Sequence, residues 1–168
     1  MNKMEFELIT SDNCSKEDIE KIANLGKEYN FDLKEGRKIV RLSGEELQPI
    51  FEIAIKFIGT SFAVWLLNKS FDKTWNKIKS YLANLMATNT KAKPTQLILE
   101  EKERNIRIPL EFSKETKSIL GFDELPKYLK ENINLVGDIY YVEKTKKWKT
   151  LDEVLEEKMR GLKNENKR

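Results

Sequence analysis

The stretch from Ile50 to Leu67 constrains this chain more than any other part of it. It reads Ile50-Phe51-Glu52-Ile53-Ala54-Ile55-Lys56-Phe57-Ile58, passes Gly59-Thr60-Ser61, and resumes as Phe62-Ala63-Val64-Trp65-Leu66-Leu67. Set at the 100° steps of an α-helix, Ile53, Phe57 and Val64 point one way. Phe51, Ile55, Ile58, Phe62 and Leu66 point roughly the opposite way. Downstream, Leu67, Phe71, Trp75, Ile78, Leu82 and Leu85 share one side, with Lys69, Lys73 and Lys77 across from them. The pattern predicts one long helix from about Glu45 to Met86 whose first half is apolar on two faces. A helix greasy all round must be covered all round.

Three covers are open to it: the domain's own sheet, a partner protein or second copy, and lipid. The uncharged run from Phe57 to Leu67 is short of the roughly 20 residues that span a bilayer. Extending it back to Ile50 brings in Glu52 and Lys56, which stand at i, i+4 and can pair along a helix. On an insertion scale the apolar gain of roughly 3–6 kcal/mol is nearly cancelled by Lys56 and the small polar residues. Gly59-Thr60-Ser61 is the weak point of such a helix, a place for a kink or a close approach.

Around this segment the chain alternates strand and helix signals. Phe6 to Ile9 reads as a strand. Ser15, with Asp18 three residues on, caps a helix that buries Ile19, Ile22, Ala23 and Leu25. Phe31–Lys34 and Lys38–Leu42, joined at Glu35-Gly36, suggest a hairpin. A second hairpin joins Leu97–Leu99 to Ile106–Phe112, with Pro109 favouring an edge position. Helical turns from Ser113 to Leu120 and from Asp123 to Asn132 precede a third hairpin, Ile139–Val142 with Trp148. A last helix runs from Asp152 to Leu162. The expectation is one α+β domain over residues 1–162, a mixed and largely antiparallel sheet of hairpins covered by helices, with a polar flexible tail at 163–168. Two hairpins each followed by a helix give a loose internal echo without a residue-level repeat.

The chain of 168 residues contains no histidine and one cysteine, Cys14. That removes Ser-His-Asp and Cys-His nucleophile systems, the common zinc-hydrolase sites and thiolate clusters. Seven glycines are scattered without a phosphate-binding loop. Glu100, Glu101 and Glu103 read as solvated charges along a strand, and Cys14 as a turn or cap residue. No catalytic residue, cofactor or metal is expected. A single cysteine and the absence of an apolar leader at Met1–Glu7 point to the cytoplasm.

Net charge is only +3, yet lysines cluster at 69, 73, 77 and 79 and again around Trp148, including Lys147. Lysines beside aromatics suit anionic lipid headgroups or nucleic-acid phosphates. Neither cluster contains arginine, which ranks nucleic acid third. The leading expectation is a non-catalytic binding or regulatory subunit that meets a protein partner, or forms a homo-oligomer, through Phe51, Ile55, Phe62, Trp65 and Leu66. The runner-up inserts residues 50–67 into a membrane, with Lys69, Lys73, Lys77, Lys79, Lys147 and Trp148 toward an anionic surface.

Overall fold

The computed structural model describes residues 3–39, 48–59, 62–68, 71–113 and 118–165. Five strands build the main layer: β1 (Lys3–Ser11), β2 (Leu33–Ile39), β3 (Ile50–Ile58), β4 (Lys93–Glu101) and β5 (Ile106–Ser113). A two-residue strand, β6 (Ser118–Ile119), pairs with the end of β5. The order across the sheet is β2-β1-β3-β4-β5-β6. β1–β2 and β3–β4 are parallel, and β1–β3 and β4–β5 are antiparallel. The helices are α1 (Lys16–Glu28), α2 (Phe62–Leu67), α3 (Phe71–Ala87), α4 (Leu125–Glu131) and α5 (Leu151–Glu165). A separate hairpin, β7 (Ile139–Val142) with β8 (Lys147–Thr150), packs beside β5.

The α+β class holds, and the sheet is mixed. The long central helix does not exist. Its first half is β3, the middle strand of the sheet, and its second half is α2 and α3. The apolar residues that fall on two opposite faces at 100° per residue fall on one face at 180°. Phe51, Ile53, Ile55 and Phe57 alternate with Glu52, Ala54 and Lys56, and all four are buried. Gly59, at φ +68, ends the strand, a backbone conformation that a side chain would disfavour.

The first expected hairpin is also absent. Leu33–Ile39 is one strand running through Glu35 and Gly36, and it reaches β1 by a parallel crossover through α1. With that hairpin gone, the expected echo of two hairpins each followed by a helix fails; what recurs is a β-α-β unit, β1-α1-β2 and β3-α2-α3-β4, with β1 and β3 side by side. The hairpins at β4–β5 and β7–β8 form as expected.

Both crossovers lay their helices on the same face. Ile22 of α1 and Phe71, Trp75, Ile78 and Leu82 of α3 join one core with Phe6, Leu8, Phe51, Ile53, Ile55, Leu97, Leu99 and Ile108. Leu67 is the exception in the predicted stripe: it belongs to α2 and is 79% exposed. An aromatic chain ties the layers together. Phe57 meets Trp65 at 4.9 Å, Trp65 meets Phe71 edge-on at 4.6 Å, and Trp75 stacks on Phe122 at 4.2 Å. Such pairs add about 0.5–1.5 kcal/mol each beyond their buried area.

Candidate interaction surface

The face of the sheet turned away from the helices is charged in an ordered way. Register places Glu5 beside Lys56, Lys56 beside Glu100, and Glu100 beside Arg107. Four neighbouring strands thus carry a row of alternating sign, the favourable arrangement for directly opposed side chains. One position further along, Ala54 and Ile98 form a small buried apolar patch with Ile9 and the half-buried Ile39. Glu7 lies over Gly36, where an added Cβ would stand 2.0 Å from its carboxylate. Its carboxylate pairs with Lys56 and accepts the backbone N–H of Arg37 at 3.2 Å. Burial pushes that carboxyl up, but the Lys56 and Arg37 bonds outweigh it and hold it below the usual carboxylate range. Glu52, in the same face, goes the other way. Burial raises it, and Arg107 and Arg37 only partly offset the rise. Most of these charges are matched by a neighbour, so the face reads as a self-neutralised surface.

α5 is different. It starts at the end of β8 with a reciprocal capping box, in which Thr150 N–H donates to Glu153 at 2.8 Å and Glu153 N–H donates to the Thr150 hydroxyl at 3.4 Å. The Leu151 N–H donates to the Asp138 carbonyl at 3.0 Å, and Lys149 pairs with Glu157. These contacts hold its first turns to the β7–β8 hairpin. None of its described apolar side chains joins the core. Leu151, Leu155 and Met159 are 42%, 47% and 60% exposed. Val136, two residues before Asp138, is exposed at the same end of the helix. Solvated leucines scattered singly are ordinary, but three at i, i+4, i+8 on one helix face form a stripe.

No protein-family model, curated protein or solved structure matches this chain. Fold and surface are therefore the ground for any functional reading.

The residues expected to form the partner surface sit elsewhere. Phe51 and Ile55 are buried in β3, and Trp65 is buried between Phe57 and Phe71. These three are interior to the domain and offer no surface. Phe62 and Leu66 lie in α2, and their side chains are outside the described set. The membrane alternative required residues 50–67 to insert, whereas 50–58 are the central strand. Among the described residues, no helix is long and apolar enough to cross a membrane.

The lysines are dispersed. Lys73 and Lys79 are exposed on α3, with Lys79 bound to Asp123 at 2.6 Å. Lys77 lies over the Phe31 ring, 5.8 Å from its centroid. Lys69 is outside the described residues. Lys147 is exposed on the separate hairpin. Trp148 is no platform for a base or headgroup: it is 5% exposed, and its indole N–H donates to the Gly121 carbonyl at 3.0 Å.

Cys14 is half-buried, its thiol donating to the Ile50 carbonyl at 3.1 Å. Among the described residues no group of carboxylates and thiols is placed to hold a metal ion. A cavity of about 640 Å³ opens between the end of α3 and the start of β4, walled by Ala83, Met86, Pro94 and Phe112. Its described lining contributes one amine, Lys93, and no carboxylate, hence no acid–base pair. The α5 stripe was legible in the sequence: Leu151, Leu155, Met159 and Leu162 keep a helical spacing. The apolar run at 50–67 is longer and overshadowed it.

Proposed function

We propose that this chain is a non-catalytic binding subunit that receives a protein partner on the apolar stripe of α5. One observation carries the reading: Leu151, Leu155 and Met159 face solvent on a helix that, among the described residues, is tethered to the β7–β8 hairpin through its first turns. Contiguous exposed apolar surface on an otherwise well-packed domain marks an interaction site. Lipid is the weaker occupant, because Asp152, Glu153, Glu156 and Glu157 would face anionic headgroups with like charge. The cytoplasm is the compartment this reading assumes, supported by the lone thiol Cys14.

A photo-crosslinking residue placed at Met159 tests the proposal in the cells that make the protein. The expected result is a discrete adduct with a protein, absent when the same residue replaces the exposed Lys127 of α4. Equal, diffuse labelling at both positions would overturn it.

A further inference from the structure

We propose that the slot between the outer face of the sheet and the β7–β8 hairpin binds a free α-amino acid, with Arg107 on its carboxylate and Glu111 on its ammonium. The slot is a cavity of about 220 Å³ whose walls include Gln96 of β4, Arg107, Pro109 and Glu111 of β5, and Tyr140 and Tyr141 of β7. Ile106, Ile108 and Leu110 of β5 are buried in the core. The alternate residues Arg107, Pro109 and Glu111 therefore line up on the opposite face. The hairpin is fixed beside them: the Arg107 N–H donates to the Gly137 carbonyl at 3.4 Å, and the Tyr140 hydroxyl donates to Asp138 at 3.0 Å. None of these residues belongs to α5, so the site stands whatever that helix meets.

Three polar side chains line this slot with bonding capacity to spare. Among the described residues, the Gln96 amide and the Glu111 carboxylate make no side-chain hydrogen bond or ion pair. Arg107 meets the Glu100 carboxylate only through Nε, at 4.0 Å, which leaves its terminal nitrogens without one. A few polar groups converging on one concavity are what fixes a small ligand in place. Their signs say which ligand. Arg107 and Glu111 lie on one strand with Pro109 between them, about 13 Å apart at Cα. A lone anion drawn to Arg107 would meet Glu111, and a lone cation drawn to Glu111 would meet Arg107. A zwitterion satisfies both, with charge-assisted bonds at each end and a guanidinium fork shaped for a carboxylate. Gln96 stands across from Glu111 in register, and its amide can both donate and accept. The Pro109 ring and the tyrosines supply apolar surface for the ligand's own side chain. The volume lies below that of pockets for drug-sized ligands, so it admits one amino acid rather than a peptide.

Titration of the isotope-labelled, full-length protein with the standard L-amino acids, one at a time and followed by nuclear magnetic resonance, decides the matter. At least one is expected to bind with a Kd of about 1 mM or tighter, shifting the Gln96 side-chain amide. Its N-acetyl and carboxamide derivatives each lack one charge, and each should bind roughly tenfold more weakly or worse. Arg107→Gln and Glu111→Gln should each weaken binding by a similar factor with unchanged circular dichroism, whereas Lys127→Ala, on α4, should leave it intact. The blocked ligands are tested on the wild type, so they decide the outcome even where a variant fails to fold. Binding that tolerates a block at either end, or that survives either substitution in a folded variant, would overturn the two-ended site. So would a protein that binds none of the amino acids.

Discussion

The carboxylate of Asp18 accepts the backbone N–H of Ala92 at 3.0 Å, and that of Lys91 at 3.2 Å, binding the start of α1 to the loop that feeds β4. Ser15 caps α1 by accepting the Asp18 N–H at 3.1 Å. Asp18 does not complete a reciprocal box with Ser15. Its side chain is spent on the other β-α-β unit, where Ala92 is fully buried and its N–H has no access to water.

Asp18→Ala should therefore cost about 2–3 kcal/mol, because it strands buried donors as well as removing charge-assisted bonds. Asp18→Asn keeps one acceptor oxygen and should lose roughly half as much. Urea denaturation of the three proteins measures it. Equal midpoints for wild type and Asp18→Ala would show that the clamp contributes nothing.

Trp75 is buried on α3 and stacks on Phe122 with an interplanar angle of 13°. Trp75→Ala should destabilise the fold by about 3–5 kcal/mol through the cavity it leaves. Lys73→Ala, on the exposed side of the same helix, should change stability by under about 0.5 kcal/mol. Thermal melts that move by similar amounts would refute the assignment of faces.

Gly121 sits at φ +69, and a Cβ there would stand 2.3 Å from the Tyr141 ring. Its carbonyl also holds the Trp148 indole. Gly121→Ala combines left-handed strain with displacement of a packed ring, and about 2–4 kcal/mol of destabilisation is expected. Near-ultraviolet circular dichroism should report a disturbed Trp148 environment along with the lower melting temperature. An unchanged aromatic spectrum would count against it.

Glu52 and Glu7 make opposite predictions for pH. Burial holds the Glu52 carboxyl above its usual range, so the folded state keeps a proton that the unfolded chain has released. Its contribution to stability therefore falls as pH rises through that window, and remains unfavourable at neutral pH. Glu52→Gln should be more stable than wild type at pH 7, with the advantage fading as pH drops below about 4. Glu7 is held low by Lys56 and Arg37, so what it contributes is present at neutral pH and lost on acidification. Glu7→Gln should accordingly be less stable than wild type at pH 7 and approach it in acid. Denaturant midpoints across pH 3–7 separate the two, and parallel curves for both variants would contradict the signs.

The sequence determined the α+β class, the hairpins β4–β5 and β7–β8, the Ser15 cap of α1 and the buried stripe Phe71–Trp75–Ile78–Leu82–Leu85 of α3. Each of these is a local pattern: a period of two or 3.6 sustained over several residues, or a capping residue at fixed spacing. The run Ile50–Ile58 was misread as helix: Phe51, Ile53, Ile55 and Phe57 share one face only at a period of two, but Ala54 and Ile58 make the run nearly continuous in apolar residues, a pattern a helix buried all round would share. What made it a strand is pairing on both sides, with Lys3–Thr10 along one edge and Lys93–Glu101 along the other. Those hydrogen bonds join residues dozens of positions apart, and no local periodicity encodes them. Tertiary structure likewise decided which apolar residues became surface. Phe51, Ile55 and Trp65 found cover from helices and sheet, whereas Leu151, Leu155 and Met159 stand exposed on α5 and join no part of the core. Hydrophobicity says only that a side chain gains by leaving water; what meets it there is settled by the fold.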